Sequence, residues 1–417
     1  MAFEAKTTME LVRAWGVFKL SSVSVLVRNS TRLIALGNAT VGPRMTTWIL
    51  KKTFFGHFCG GEKAEEVYPV MDKLRAAGIG SILDYAAEAD VEAEAQKAGG
   101  GGGHAAAAAV VDPEKECDLN MGIFLSCVDT AGARENGFAA IKLTALGKPE
   151  FLERVSVILR EITTLFNSFV TVEGDQEVTD CRISLVQFHH GIRKLGLGTA
   201  EISDEDIELI FRRMDTDRSG YIEYLEWIEY LQFSDLTTRP FFTSGYKGPR
   251  QFIPRLTPEE LRQMENMMKR LEAIAEAAAK KRVRLMIDAE QTYFQSAIDH
   301  FVVNLQRKYN RNFPVIFNTY QCYLKDSGSR VKFDLARAKK EGFIFAAKTV
   351  RGAYMIQERK RAGELGYPDP IQPNIEATHA NYNKLVQVIL SAPQTTELMV
   401  ASHNEESVRQ ATSFMET

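Results

Sequence analysis

Apolar positions recur at helical spacing through the first segment, which predicts a helical arm over residues 1–77, closing on the helical pattern 65–77. Gly78-Ile79-Gly80 then feeds a short apolar run ending at Tyr85, read as a strand. Further short apolar runs lie at 138–143, 283–287, 313–320, 343–350 and 398–401. Helical patterns fill 114–131, 258–280, 332–342, 375–391 and 405–415, and a long helical stretch covers 149–235. Short strands separated by helices mean βα units and a parallel sheet.

Two low-complexity breaks divide this pattern. Gly99–Gly103 and Ala105–Ala109 form a linker at 98–109, whose His104 has no partner at metal spacing. A Pro/Gly/Arg-rich connector spans 239–254. The domains expected are an arm at 1–77, barrel strands at 78–148, a helical insertion at 149–236 and further barrel strands at 237–417.

Composition narrows the class. The chain has 417 residues, 45% hydrophobic and 25% charged, which excludes a disordered, collagen-like or coiled-coil protein. At about 150 residues per domain, two or three domains are expected. The net charge of -3 gives nucleic-acid binding no electrostatic support. Five cysteines without CxxC spacing point to reduced thiols and an intracellular compartment. No apolar run approaches the ~18 residues that span a bilayer. The segment from Leu11 to Gly61 carries Arg13, Lys19, Arg28, Arg32, Arg44, Lys51 and Lys52 but no acid. That composition fits a transit peptide or a basic surface for an anionic membrane; its length and apolar content favour a helical arm packed on the main domain.

Candidate chemistry gathers at the strand ends. Asp84 follows the first strand and Lys142 closes the second; Asp288 and Glu290 follow the third, and Gln321 the fourth. Lys348 and Arg351 close the fifth, and Ser402, His403 and Asn404 follow the sixth. In a (β/α) barrel such ends meet at one mouth. Singly, each could mark only where strand gives way to water. Lys142 differs, because Ala140-Ile141-Lys142-Leu143 flanks its charge with buried positions, so it needs an anionic partner such as Asp288 or a substrate carboxylate. In Arg351-Gly352-Ala353-Tyr354, glycine allows close backbone approach to a ligand. No GxGxxG turn follows any strand, which leaves a Rossmann unit unsupported.

Lys142 in AIKLTALG, Asp288 in LMIDAEQTYF, Gln321 in FNTYQCYLKD, KTVRGAY, GYPDPIQP and ASHNEE together resemble the proline dehydrogenase family, animal type, from about residue 50 onward. The resemblance implies a distorted (β/α)8 barrel that binds FAD non-covalently at the strand C-termini. It implies oxidation of L-proline to pyrroline-5-carboxylate, with electrons passed to a quinone. It also implies a mitochondrial protein on the matrix side of the inner membrane, peripherally associated. By motif, Lys142 would bind the proline carboxylate and Asp288 would be the catalytic acidic residue near the flavin and substrate, with Lys348 also in the catalytic set. Ala289, Gln321, Lys348, Arg351, Gly352, Ala353, Tyr354, Ser402 and His403 would line the FAD. Lys348 stands where bacterial members have Arg, and Arg351 where they have Lys; the two are not equivalent donors.

The chain departs from the family pattern at its end. About six strands can be counted where a closed barrel needs eight, and no YxxRRxxE motif is found. The expected fold is therefore α/β, an incomplete (β/α)8-type barrel with a helical arm and an insert. The chain is expected to be an incomplete form of the enzyme, weakly active or inactive alone.

The insert carries a calcium motif. Asp215, Asp217 and Ser219 offer oxygens at loop positions 1, 3 and 5, Gly220 the sharp turn at 6, and Tyr221 a carbonyl at 7. Glu223 stands at 9 and Glu226, at 12, offers a bidentate carboxylate. This is an EF-hand loop, flanked by helices at 204–214 and 224–233. A degenerate partner loop is expected at 176–187, with Ile183 opposite Ile222 and no calcium of its own, since Cys181 and Gln187 replace Gly and Glu. His189 and His190 lack a third ligand for zinc. Two alternatives remain: a catalytically impaired calcium-binding regulatory protein, or a hydroxyproline dehydrogenase.

Overall fold

Every short apolar run that alternates with a helix forms a strand of one sheet. The structure is a computed structural model describing residues 6–85, 112–170, 181–195, 202–231 and 256–415. The linker 98–109, the start of the partner loop at 176–180 and the connector 239–254 lie outside the described residues. The chain divides into two compact units: Met1–Leu83 with Asp129–Phe138, and Asp84–Val128 with Ala139–Thr417.

The strands are β1 (Ile82–Asp84), β2 (Phe138–Ile141), β3 (Arg182–Ser184), β4 (Tyr221–Glu223), β5 (Arg284–Ile287), β6 (Ile316–Gln321), β7 (Phe345–Val350) and β8 (Thr396–Val400). Six of them make one sheet in the order β1-β2-β5-β6-β7-β8, and β3 pairs with β4 alone. β5 through β8 run parallel, with Met286 opposite Phe317, Thr319 opposite Lys348, and Lys348 opposite Met399. Every residue of β6 is buried, as helices covering a parallel sheet require.

Two expectations need correction here. β6 begins at Ile316, not Phe313, because Pro314 has no N–H to give a ladder. Asn310 instead closes this segment, accepting from the Val315 and Ile316 amides and donating to the Ile316 and Ile344 carbonyls. Gln321 is thus the buried last residue of β6 and does not follow the strand. The stretch 149–235 breaks at the loop expected over 215–226. It comprises helices Pro149–Phe169, Leu185–Lys194, Asp204–Met214 and Tyr224–Tyr230, interrupted by β3 and β4. Ser184 and Ser203 start two of these helices as reciprocal caps with Gln187 and Asp206.

The insert has an aromatic core of its own. Phe169 stacks on Phe188 at 5.6 Å, Phe166 and Phe169 both meet Trp227, and the Trp227 indole donates to the Ile162 carbonyl at 2.9 Å. β3 and β4 pair antiparallel with Ile183 opposite Ile222. The insert meets the sheet's outer helices directly. Tyr224 packs on Phe333 at 5.1 Å, and Glu229 pairs with Arg307, which Glu341 also holds.

The first unit is helical, with Thr8–Ser21 capped by a Thr7/Glu10 box and tied by Lys73 to Glu10. Its helices expose Trp15, Phe18, Val25, Leu36 and Trp48. No described helix is long and apolar enough to cross a membrane.

Candidate active site and acidic loop

Sheet order explains the first cluster. β2 lies beside β5, and the amide of Asp288, the first residue past β5, donates at 2.9 Å to the carbonyl of Ile141, the last residue of β2. This places Lys142 and Asp288 at the same sheet end. The Lys142 ammonium lies 3.2 Å from Asp288 Oδ2, and the Lys348 ammonium donates to Asp288 Oδ1. All three side chains are only 14–16% exposed. A carboxylate this far from water needs charge-assisted donors, and two ammonium groups supply them.

The second carboxylate after β5 has another task. Glu290 is 1% exposed and accepts from the Thr144 amide at 3.2 Å and the Thr144 hydroxyl at 2.6 Å. It therefore locks the turn after Lys142 to the turn after Asp288. Buried Gln321 donates to the Glu290 carbonyl at 2.8 Å, and Ala289 is buried between these groups in sequence.

A second cluster forms past β7. Arg351 donates to His379 Nδ1 at 2.8 Å, Ser402 Oγ at 2.7 Å and Ser407 Oγ at 2.9 Å, and its guanidinium lies 4.4 Å over the Tyr382 ring. All of those partners are neutral, and among the described residues no carboxylate pairs with Arg351. Gly352 has φ +138° and a Cβ there would stand 2.4 Å from the Tyr323 ring, so only glycine fits. The Tyr354 amide donates to the Tyr323 hydroxyl at 3.3 Å. Ala353 and His403 are exposed. A cation held only by neutral acceptors, beside exposed backbone, fits a cofactor bearing negative charge. His379, Ser407 and Thr144 carried no signal in the sequence; only their neighbours in space mark them.

In the insert, Asp215, Asp217 and Glu226 each bring a carboxylate oxygen within 4.8 Å of the others. Gly220 makes the turn with φ +81°. Asp215 accepts from the Ser219 and Gly220 amides, each at 2.9 Å, and the Ser219 hydroxyl donates to the Tyr221 carbonyl at 3.1 Å. Glu226 accepts from the Thr216 and Glu223 amides. Glu223 turns outward: its carboxylate lies 3.1 Å from the Lys340 ammonium, which is 3.8 Å from Asp217. His189 pairs with Asp204 at 2.8 Å.

Residues 68–417 match the family model described as proline dehydrogenase. The chain is 35% identical over 457 residues to a human protein named "Proline dehydrogenase 1, mitochondrial", covering all of this chain and 75% of that one. It is 28% identical over 418 residues to a Xenopus laevis protein named "Hydroxyproline dehydrogenase", covering 99% of this chain and 72% of that one. Among solved structures, proline utilization A (PutA) from Bdellovibrio bacteriovorus superposes with a TM-score of 0.52 at 16% identity, over 90% of this chain. The chain spans 28% of the length of that larger protein, and the likeness concerns fold.

Proposed function

The chain belongs to the proline dehydrogenase family of oxidoreductases, and from that premise we propose that it oxidises L-proline to pyrroline-5-carboxylate with FAD, passing electrons to a quinone. The observation that carries the reading is the meeting of Lys142, Asp288 and Lys348 at one sheet end. Lys142 binds the substrate carboxylate. Asp288 holds both ammonium groups in place through its two oxygens. Lys348 and Arg351 would supply positive charge beside bound FAD, where negative charge would develop as the ring carbon next to nitrogen gives up its hydride. Ala289, Gln321, Gly352, Ala353, Tyr354, Ser402 and His403 form the remaining FAD-holding set. When bound, FAD supplies the two-electron acceptor; the chain's residues mainly fix the geometry of approach.

The relatives' names support a mitochondrial location for this chain. The acid-free segment Leu11–Gly61, with exposed Trp15, Phe18 and Trp48 among seven cations, suits peripheral association with the anionic matrix face of the inner membrane. The insert binds one calcium ion through Asp215, Asp217, Ser219, Tyr221 and Glu226, with Glu223 acting directly or through water, a reading supported by the convergence of three carboxylates around the Gly220 turn.

Purified protein tests the enzyme reading. Flavin absorbance that proline bleaches without oxygen is the expected result, and a colourless chain stabilised by calcium would leave only the regulatory reading. Hydroxyproline stands as a second substrate because a relative carries that name. Faster bleaching by hydroxyproline than by proline would favour it.

A further inference from the structure

A cavity of about 540 Å³ lies between insert helices Pro149–Phe169 and Tyr224–Tyr230 and sheet-covering helices Thr292–Tyr309 and Ser327–Glu341. Its walls mix Leu159, Ile162, Ile228 and Phe333 with charged side chains. One of those, Arg337, stands apart. Its side chain is 9% exposed, yet its guanidinium makes no hydrogen bond among the described residues, and Nε is buried without a partner.

The nearest acids do not satisfy it. Asp334 Oδ1 is 3.8 Å from Nη1 and Glu341 Oε1 is 3.9 Å from Nε, both beyond hydrogen-bond reach. Each acid is engaged elsewhere: Asp334 accepts from the Tyr320 hydroxyl at 2.8 Å, and Glu341 holds Arg307. By contrast Arg330, in the same wall, grips Asp299 with two nitrogens at 2.9 and 2.6 Å. Burial works against the Arg337 charge. A buried Nε donor without an acceptor is costly, and the rest of the guanidinium, lining the cavity, is open to a ligand.

We propose that this cavity binds a small monocarboxylate with an apolar body, its two oxygens accepting from the Arg337 fork. A planar carboxylate matches guanidinium geometry. The remaining lining charges favour a single negative charge: Arg160 and Arg330 stand against Asp299, Asp326 and Asp334, so a polyanion would meet three acids. The apolar residues of the insert and Phe333 receive the body. Because the walls come from both the insert and the sheet-covering helices, the ligand ties the two together.

Butyrate is the probe, with neutral butyramide of the same shape as control, on the full chain. Calorimetry should show butyrate binding and no butyramide binding. Arg337→Gln should weaken butyrate by about ten-fold or more, as expected for a lost charged hydrogen bond. Ile228→Trp, which fills the cavity and keeps Arg337, should do the same. Lys142→Met should leave butyrate binding intact, separating this cavity from the substrate site. If Arg337→Gln does not fold, Ile228→Trp decides alone. Equal binding of butyramide, undiminished binding in Ile228→Trp, loss in Lys142→Met, or no butyrate binding at all (water alone filling the fork) would each overturn the proposal.

Discussion

The Lys142 ammonium lies 3.2 Å from the Asp288 carboxylate, across 146 residues of chain. Lys348 reaches the other oxygen of the same carboxylate. Substrate carboxylate binding by Lys142 then predicts a split effect. Lys142→Met should raise the proline concentration for half-maximal flavin reduction by about ten-fold or more, and lower the saturated rate less. Stopped-flow reduction measures both. An unchanged half-saturation would remove Lys142 from substrate binding.

Asp288→Asn keeps the shape of the side chain but leaves two poorly exposed ammonium groups side by side. Loss of the charged acceptor should cost about 1–3 kcal/mol of stability. Lys348→Met made in the Asp288→Asn background should recover part of that loss, because the repulsion goes with it. Urea unfolding of the single and double variants gives the coupling. Simple additivity would mean that the three charges do not act as a unit.

Lys340 sets a prediction for the acidic loop. Its ammonium sits 3.1 Å from Glu223 and 3.8 Å from Asp217, so an arriving calcium ion meets a resident positive charge. Lys340→Met should tighten calcium binding about five-fold by Coulombic relief. Glu226→Gln should abolish it, since the loop's last carboxylate is lost. Calorimetry on the full chain reads both. An equal dissociation constant in Lys340→Met would sever the loop from the Ser327–Glu341 helix electrostatically.

Legibility in the sequence followed the range of the forces involved. The strand ends could be read because a short apolar run and the charge after it are neighbours in sequence. Ile183 opposite Ile222 could be read because both stand at the same position of repeated loops. The helix Thr292–Tyr309 was missed although Phe294, Ala297, Ile298, Phe301, Val302 and Leu305 recur at helical spacing and are all buried. The Thr144–Glu290 lock and the neutral cage of Arg351 escaped for a physical reason. Threonine, serine and a lone histidine look ordinary until the fold sets a charge beside them.

Gly352→Ala tests how tightly the turn after β7 is packed. The added methyl would stand 2.4 Å from the Tyr323 ring, on a backbone whose φ of +138° disfavours any side chain. Relief requires moving Tyr323, whose hydroxyl accepts from the Tyr354 amide. The expected result is a loss of about 2–4 kcal/mol in stability together with weaker flavin retention. The flavin-to-protein absorbance ratio after gel filtration checks the second part. A variant with wild-type flavin content and wild-type urea midpoint would show that the turn opens freely.

His300 should govern part of the acid sensitivity. Burial, with Arg337 and Arg307 nearby, holds its imidazole down to about 3 from the ordinary 6.5. The unfolded chain therefore takes up this proton first as pH falls. Its contribution to stability is complete above about pH 6.5 and is lost progressively below it. Asp334 works in the opposite sense, because burial raises its carboxyl to about 6 and the native state binds that proton first. The two overlap between pH 4 and 6, so the wild-type profile alone does not separate them. The difference between wild type and His300→Phe does, since Asp334 is common to both. Urea midpoints should fall more steeply from pH 7 to pH 5 in wild type than in His300→Phe, by at most a few kcal/mol because the ring keeps some contact with the cavity. Parallel profiles for the two proteins would mean that His300 takes up its proton equally in both states.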